Sequence, residues 1–133
     1  MPLVTLYLST FITFLALDAV MLRYVMQPLF ARHIGPLLAD PIRLGPAAVF
    51  YAAYIAGLIW LVSLPALRTG SGVWLQAAVL GFMAYGTYEF TSYAVMRDWH
   101  WSMVATDVVW GTILTAFSAV VGVWVTRALG LVA

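Results

Sequence analysis

The chain has 133 residues, 65% of them hydrophobic and only 8% charged, with a formal net charge of +1 and a mean hydropathy of +1.01. An ordinary soluble domain is about 25% charged, so a soluble globular fold is excluded. Six scattered basic residues cannot neutralise a run of phosphates, which removes nucleic acid as a partner. With no cysteine there is no disulfide framework, thiolate metal site or cysteine nucleophile. All six basic residues are arginine, which removes Schiff-base and P-loop lysine chemistry.

A bilayer core of roughly 30 Å needs about 20 mostly apolar residues in a helix. Four runs of that length stand between Pro, Gly and Arg breaks: 3–22, 47–67, 73–96 and 102–126. No Arg precedes the first run and Asp18 interrupts it, so it reads as an uncleaved span rather than a secretory signal. The connection from Arg23 to Pro46 contains Pro28, Pro36, Pro41 and Pro46, which forbid one continuous helix across it. Inside it Leu29, Phe30, Ile34, Leu37 and Leu38 recur at helical spacing, predicting a short interfacial segment bent at Pro36. The two remaining connections, Arg68-Thr69-Gly70-Ser71-Gly72 and Arg97-Asp98-Trp99-His100-Trp101, are tight. Short connections make antiparallel neighbours, so the expected fold is all-α: one transmembrane domain over 1–133, an antiparallel four-helix bundle.

Arg23, Arg32, Arg43 and Arg97 fall on the side of the first and third connections, Arg68 and Arg127 on the other. Four against two places the first side in the cytoplasm. Trp74, Trp99, Trp101 and Trp124 stand near span ends, as an aromatic belt would, and need no ligand. His33 and His100 fall in connections, where imidazole is ordinarily solvated.

Intramembrane carboxylates cost about 2.5 to 3.5 kcal/mol each on insertion scales, so each needs a reason. Asp18, Glu89 and Asp107 lie about 7, 12 and 9 Å inside their span ends at 1.5 Å per residue. All three therefore share one leaflet, although their spans run in opposite directions. Tyr54 reaches a similar depth, with Tyr51, Tyr85 and Tyr88 close by. Tyr85, Glu89, Ser92 and Met96 form one helical stripe. Asp107, Gly111, Thr115, Ser118 and Gly122 form another, whose small residues turn it into the bundle. Tyr7, Phe11 and Phe14 share the Asp18 face as an apolar wall, and Ala53 and Gly57 offer close packing on the second helix.

Two explanations of the acids stay open at this level. One is interhelical glue, with carboxyl groups hydrogen-bonded across the bundle. The other is a site, because clustered ionisable groups mark function. Candidate ligand-binding residues are Asp18, Tyr54, Tyr85, Tyr88, Glu89, Asp107 and Trp110, beneath a headgroup rim of Arg23, Arg32, Arg43 and Arg97. Glu89, Asp107 and Asp18 are the candidates for any catalysis. No metal-ligand motif and no cofactor motif is present, and neither a Gly-x-Ser-x-Gly elbow nor a His-Glu-x-x-His helix occurs. A membrane lipid is the expected partner. Four function classes fit: a lipid or amphipath binder, a lipid enzyme using Glu89 and Asp107 as acid and base, an accessory subunit of a membrane complex, and a proton- or cation-coupled carrier working as a homo-oligomer.

The pieces Phe14-Leu15-Ala16-Leu17-Asp18, Phe50-Tyr51-Ala52-Ala53-Tyr54, Pro65-Ala66, Tyr85-Gly86-Thr87-Tyr88-Glu89-Phe90-Thr91, Asp98-Trp99 and Thr106-Asp107-Val108-Val109-Trp110-Gly111-Thr112 cover nearly the whole chain. In these it resembles a family of small bacterial inner-membrane proteins known as domain of unknown function 2177. The resemblance implies a multi-pass, four-span protein of the bacterial inner membrane and no established activity. Glu89 stands where the family pattern is expected to carry Asp, and Ser92 where it is expected to carry Asn. The acid is kept, but its longer arm argues against a tightly fitted metal geometry.

Overall fold

The computed structural model describes residues 2–39 and 43–130; Pro41 lies outside them. The protein is an all-α membrane bundle. Helix α1 spans Pro2–Met21, passes through a π-turn at Leu22–Met26 and continues as α2, Gln27–Ile34, ending in a 3-10 turn at Gly35–Leu37. Helix α3 spans Leu44–Leu58 and likewise passes through a π-turn, Ile59–Ser63, into α4, Leu64–Thr69. Helices α5, Trp74–Val95, and α6, Trp101–Ala128, follow.

Both π-turns have the same local cause. Each ends two residues before a proline, Pro28 in one case and Pro65 in the other. Proline removes a backbone N–H and its ring crowds the carbonyl four residues earlier, so the helix widens by one residue instead of breaking. The amide of Gln27 thus reaches back to the Leu22 carbonyl, and that of Leu64 to the Ile59 carbonyl. Pro28 therefore does not end the first helix, which runs on to Leu37.

Among the described residues three helices are long and apolar enough to cross a membrane: Pro2–Leu37, Leu44–Thr69 and Trp101–Ala128. The third run expected from sequence forms α5, 22 residues long, but Gln76, Glu89 and its tyrosines and threonines keep it below the apolarity of the others. Its polar groups are bearable because α5 lies along α6. Gly81 meets the Gly111 carbonyl and Thr115, and the Tyr85 ring covers Gly111, so the two helices run antiparallel in close contact. Gly122 similarly receives Thr10 of α1. Helix α6 is consequently the central helix, burying Gly111, Thr115, Ser118 and Gly122 on one stripe.

The second helix packs differently. A Cβ added at Gly57 would meet nothing within 4 Å and Ala53 is exposed, so the close approach expected there does not occur. Large side chains hold α3 off instead. Phe14 is fully buried against the rings of Tyr51 and Tyr54, and the Tyr7 hydroxyl donates to the Ala52 carbonyl at 3.0 Å. At the far end Arg127 Nη2 donates to the carbonyls of Ala66 and Ser71, both at 3.0 Å. Those carbonyls belong to the α4 terminus, where Gly70 takes φ 73° in a left-handed helix cap. Arg127 thereby adds a cation at the negative end of that helix.

Candidate functional site

Helix α1 buries Leu6, Thr10, Phe14 and Asp18, one residue per turn, so Asp18 ends the stripe that faces the bundle. Its carboxylate, 4% exposed, is held from two sides. The Tyr51 hydroxyl of α3 donates to Oδ2 at 2.8 Å, and the Trp110 indole N–H of α6 donates to Oδ1 at 3.0 Å. One carboxylate therefore joins three helices, and both its oxygens have donors.

The antiparallel register of α5 and α6 decides the next contact. Gly81 lies opposite Thr115 and Tyr85 opposite Gly111; one turn further on each helix, the same register sets Glu89 opposite Asp107. Glu89 is 0% exposed. Its Oε1 accepts the Trp99 indole N–H at 2.9 Å, while Oε2 is buried without a hydrogen-bond partner among the described residues. Two carboxyl groups that face one another can hydrogen-bond only when one of them carries a proton. Asp107 stands one turn before Trp110, the α6 residue whose indole bonds Asp18.

The acids accordingly form a row, Asp18, Asp107, Glu89, rather than a closed ligand set. Among the described residues no group of three or more His, Cys, Asp or Glu side chains comes together to hold a metal. At one end of the row the aromatic donors are Tyr51 and Trp110, at the other Trp99.

The remaining residues singled out from sequence are placed as follows. Trp110 bonds Asp18 directly. Tyr54 does not reach an acid; its hydroxyl pairs with Thr115 Oγ1 at 2.9 Å. Tyr85 lies flat on Gly111 and edge-on to Tyr54. Tyr88 is 52% exposed, with its ring edge-on to Trp99. Arg23, Arg32, Arg43 and Arg97 are all exposed, and Arg23 lies over the Tyr24 ring. Phe14 is buried beneath the tyrosines and so cannot present a wall to a ligand.

Sequence reasoning misses three groups. The position of Trp99 suits an aromatic belt, but the residue is 6% exposed and serves Glu89. Its closeness in sequence to Glu89, across a tight connection, is the available signal. Tyr51, one turn before Tyr54, is the tyrosine that reaches Asp18. Thr115 carries the partner of Tyr54. Trp74, Trp101 and Trp124 are exposed, as belt residues are.

Among the described residues, surface grooves lie away from the row. One runs between α1 and the second helix, lined by Tyr7, Ala56 and Trp60; another is lined by Trp74, Trp124 and Arg127 at the opposite end of α6.

No curated protein matches the chain, and no solved structure matches it. A family model described as "Predicted membrane protein (DUF2177)" matches residues 3–124. Nearly the whole bundle, including every member of the acid row, falls inside that match, and the chain belongs to this family of predicted membrane proteins.

Proposed function

We propose that the protein is a multi-pass protein of the bacterial inner membrane in which all four long helices cross, and that it binds a lipid or other amphipathic small molecule at the Asp107 and Glu89 end of the acid row. The arginine bias, four against two, supports the first and third connections on the cytoplasmic face. A crossing by α5 is supported by its close pairing with α6, which hides Glu89 from lipid.

One observation carries the binding reading: Glu89 Oε2 is buried with no donor of its own among the described residues, beside the half-buried carboxyl of Asp107. Acceptors left without donors in a low-dielectric site are costly, and a ligand bearing N–H or O–H groups relieves that cost. Exposed arginines at the same end suit a phosphate-bearing headgroup. Asp18 is already satisfied by Tyr51 and Trp110, so its role in this reading is to position Trp110 and α6.

Native mass spectrometry of the gently solubilised protein beside an Asp18→Asn, Glu89→Gln, Asp107→Asn variant tests this. The expected result is a discrete bound mass on the wild type that the variant loses. An unliganded wild type, with a variant that differs only in stability, returns the acids to interhelical glue. A second reading, acid–base chemistry on a lipid, is favoured by the two carboxyl groups that the α5–α6 register sets opposite one another. It requires turnover, and an unchanged lipid profile on expressing the Glu89→Gln variant in place of the wild type would remove it.

A further inference from the structure

The first helix does not end at Arg23. Beyond Arg23 it becomes an arm, α2, that folds over the α5–α6 connection. Ile34, with Leu29 and Phe30, packs on Trp99, Met103, Val104 and Val108 in an apolar cluster separate from the main core. Phe30 meets Trp99 edge-on at 5.4 Å. Beside it the rings of His33 and His100 stack at 4.2 Å between centroids and 7° between planes.

The chemistry of His100 is fixed by its neighbours. It caps the N-terminus of α6, where the Ser102 backbone N–H donates to its Nδ1 at 3.1 Å. A backbone N–H can only donate, so Nδ1 must be an unprotonated acceptor and the ring neutral. Nδ1 also lies 2.8 Å from the Ser102 hydroxyl; protonating Nδ1 leaves that hydroxyl as an acceptor but forfeits the bond from the Ser102 backbone N–H and puts a cation at the positive end of a helix. It also sets a charge against the stacked His33 and against Arg32. The other charged or titratable groups around the pair are Arg97 and Asp98 on the connection, Tyr88, whose ring meets Trp99, and Glu89 on α5 beneath that indole.

We propose that His33 and His100 form a proton-operated latch, which holds the α2 arm on the α5–α6 connection while both rings are neutral and releases it when they are protonated. Trp99 is adjacent to His100, so release also loosens the indole that covers Glu89. Loss of hydration at the stack, the facing His100 and Arg32 all hold His33 below its ordinary range. A histidine held low in the docked state favours docking at high pH. Docking is therefore complete above an ordinary histidine value of about 6.5 and is lost as the pH falls below it. The latch does not depend on what the acid row binds.

The test is hydrogen exchange of the full-length protein in lipid nanodiscs between about pH 8 and pH 5, corrected for intrinsic exchange. Amides of 29–34 and 99–104 should exchange about tenfold faster at the acid end, while the α6 interior around Thr115 stays protected. His100→Asn supplies a cap acceptor that does not titrate, and this variant should lose most of the pH response while remaining docked at both ends of the range. A wild type with pH-independent exchange in these segments overturns the latch, and so does an undiminished response in His100→Asn. Should that variant not fold, nitrogen NMR of labelled histidine in the wild type decides: titration of His100 without a matching change in exchange rejects the proposal, and coincident midpoints support it.

Discussion

The indole N–H of Trp110 donates to Asp18 Oδ1 at 3.0 Å across 92 residues of sequence, and this single bond ties the first helix of the chain to its last. Because the Tyr51 hydroxyl occupies the other oxygen, removing the carboxylate strands two donors on two different helices. Asp18→Ala should therefore destabilise the bundle by about 2 to 4 kcal/mol, more than Trp110→Phe or Tyr51→Phe alone. Equilibrium unfolding in mixed micelles measures the three, and a double-mutant cycle between Trp110→Phe and Tyr51→Phe reports whether the two bonds reinforce one another.

Glu89 gives the opposite contrast between two substitutions. Glutamine keeps an acceptor for Trp99 Nε1 and offers a donor toward Asp107. Glu89→Gln should keep the wild-type stability within about 1 kcal/mol, whereas Glu89→Ala, which leaves the indole without its acceptor and opens a void, should cost about 2 kcal/mol or more. Equal losses in the two variants would mean that the geometry of the carboxyl pair is not what holds α5 to α6.

Close approach at the α5–α6 seam depends on absent side chains. A Cβ at Gly81 would come within 2.7 Å of the Gly111 carbonyl oxygen, and one at Gly111 would overlap the Tyr85 ring. Gly111→Ala and Gly81→Ala are each expected to cost about 1 to 3 kcal/mol despite the better helix propensity of alanine. Gly57→Ala, facing open space, should be neutral or stabilising by up to about 1 kcal/mol. Thermal unfolding of the three variants side by side checks the order.

Arg127 should matter for assembly of the far end and not for the acid row. Arg127→Ala removes both bonds to the Ala66 and Ser71 carbonyls, and amides of 67–73 should exchange about fivefold to thirtyfold faster, equivalent to roughly 1 to 2 kcal/mol. Protection around Glu89 should be unchanged. Arg127→Lys should recover only part of the loss, since one ammonium cannot hold both carbonyls in the guanidinium geometry.

Composition and periodicity alone determined that this chain is an all-α membrane protein, because 65% hydrophobic content with runs of spanning length leaves no soluble alternative. They also set Asp18, Glu89 and Asp107 at similar distances from their span ends, since distance along a helix is rise multiplied by residue count, and turned the Gly111, Thr115 and Gly122 stripe inward from its small side chains. Which donor meets which acid was decided only in the tertiary structure. Tyr51 rather than Tyr54 reaches Asp18 because of the rotation of α3, set where large aromatic rings hold it off from α1. Trp99 reaches Glu89 because the α5–α6 connection folds the indole inward, although its sequence position suits an interfacial belt. The pairing of His33 with His100 was likewise invisible, because it depends on the π-turn before Pro28 carrying the first helix onward as an arm. A one-dimensional pattern encodes height and face on each helix, while the rotation of helices about one another is fixed by interdigitating side chains from distant parts of the chain.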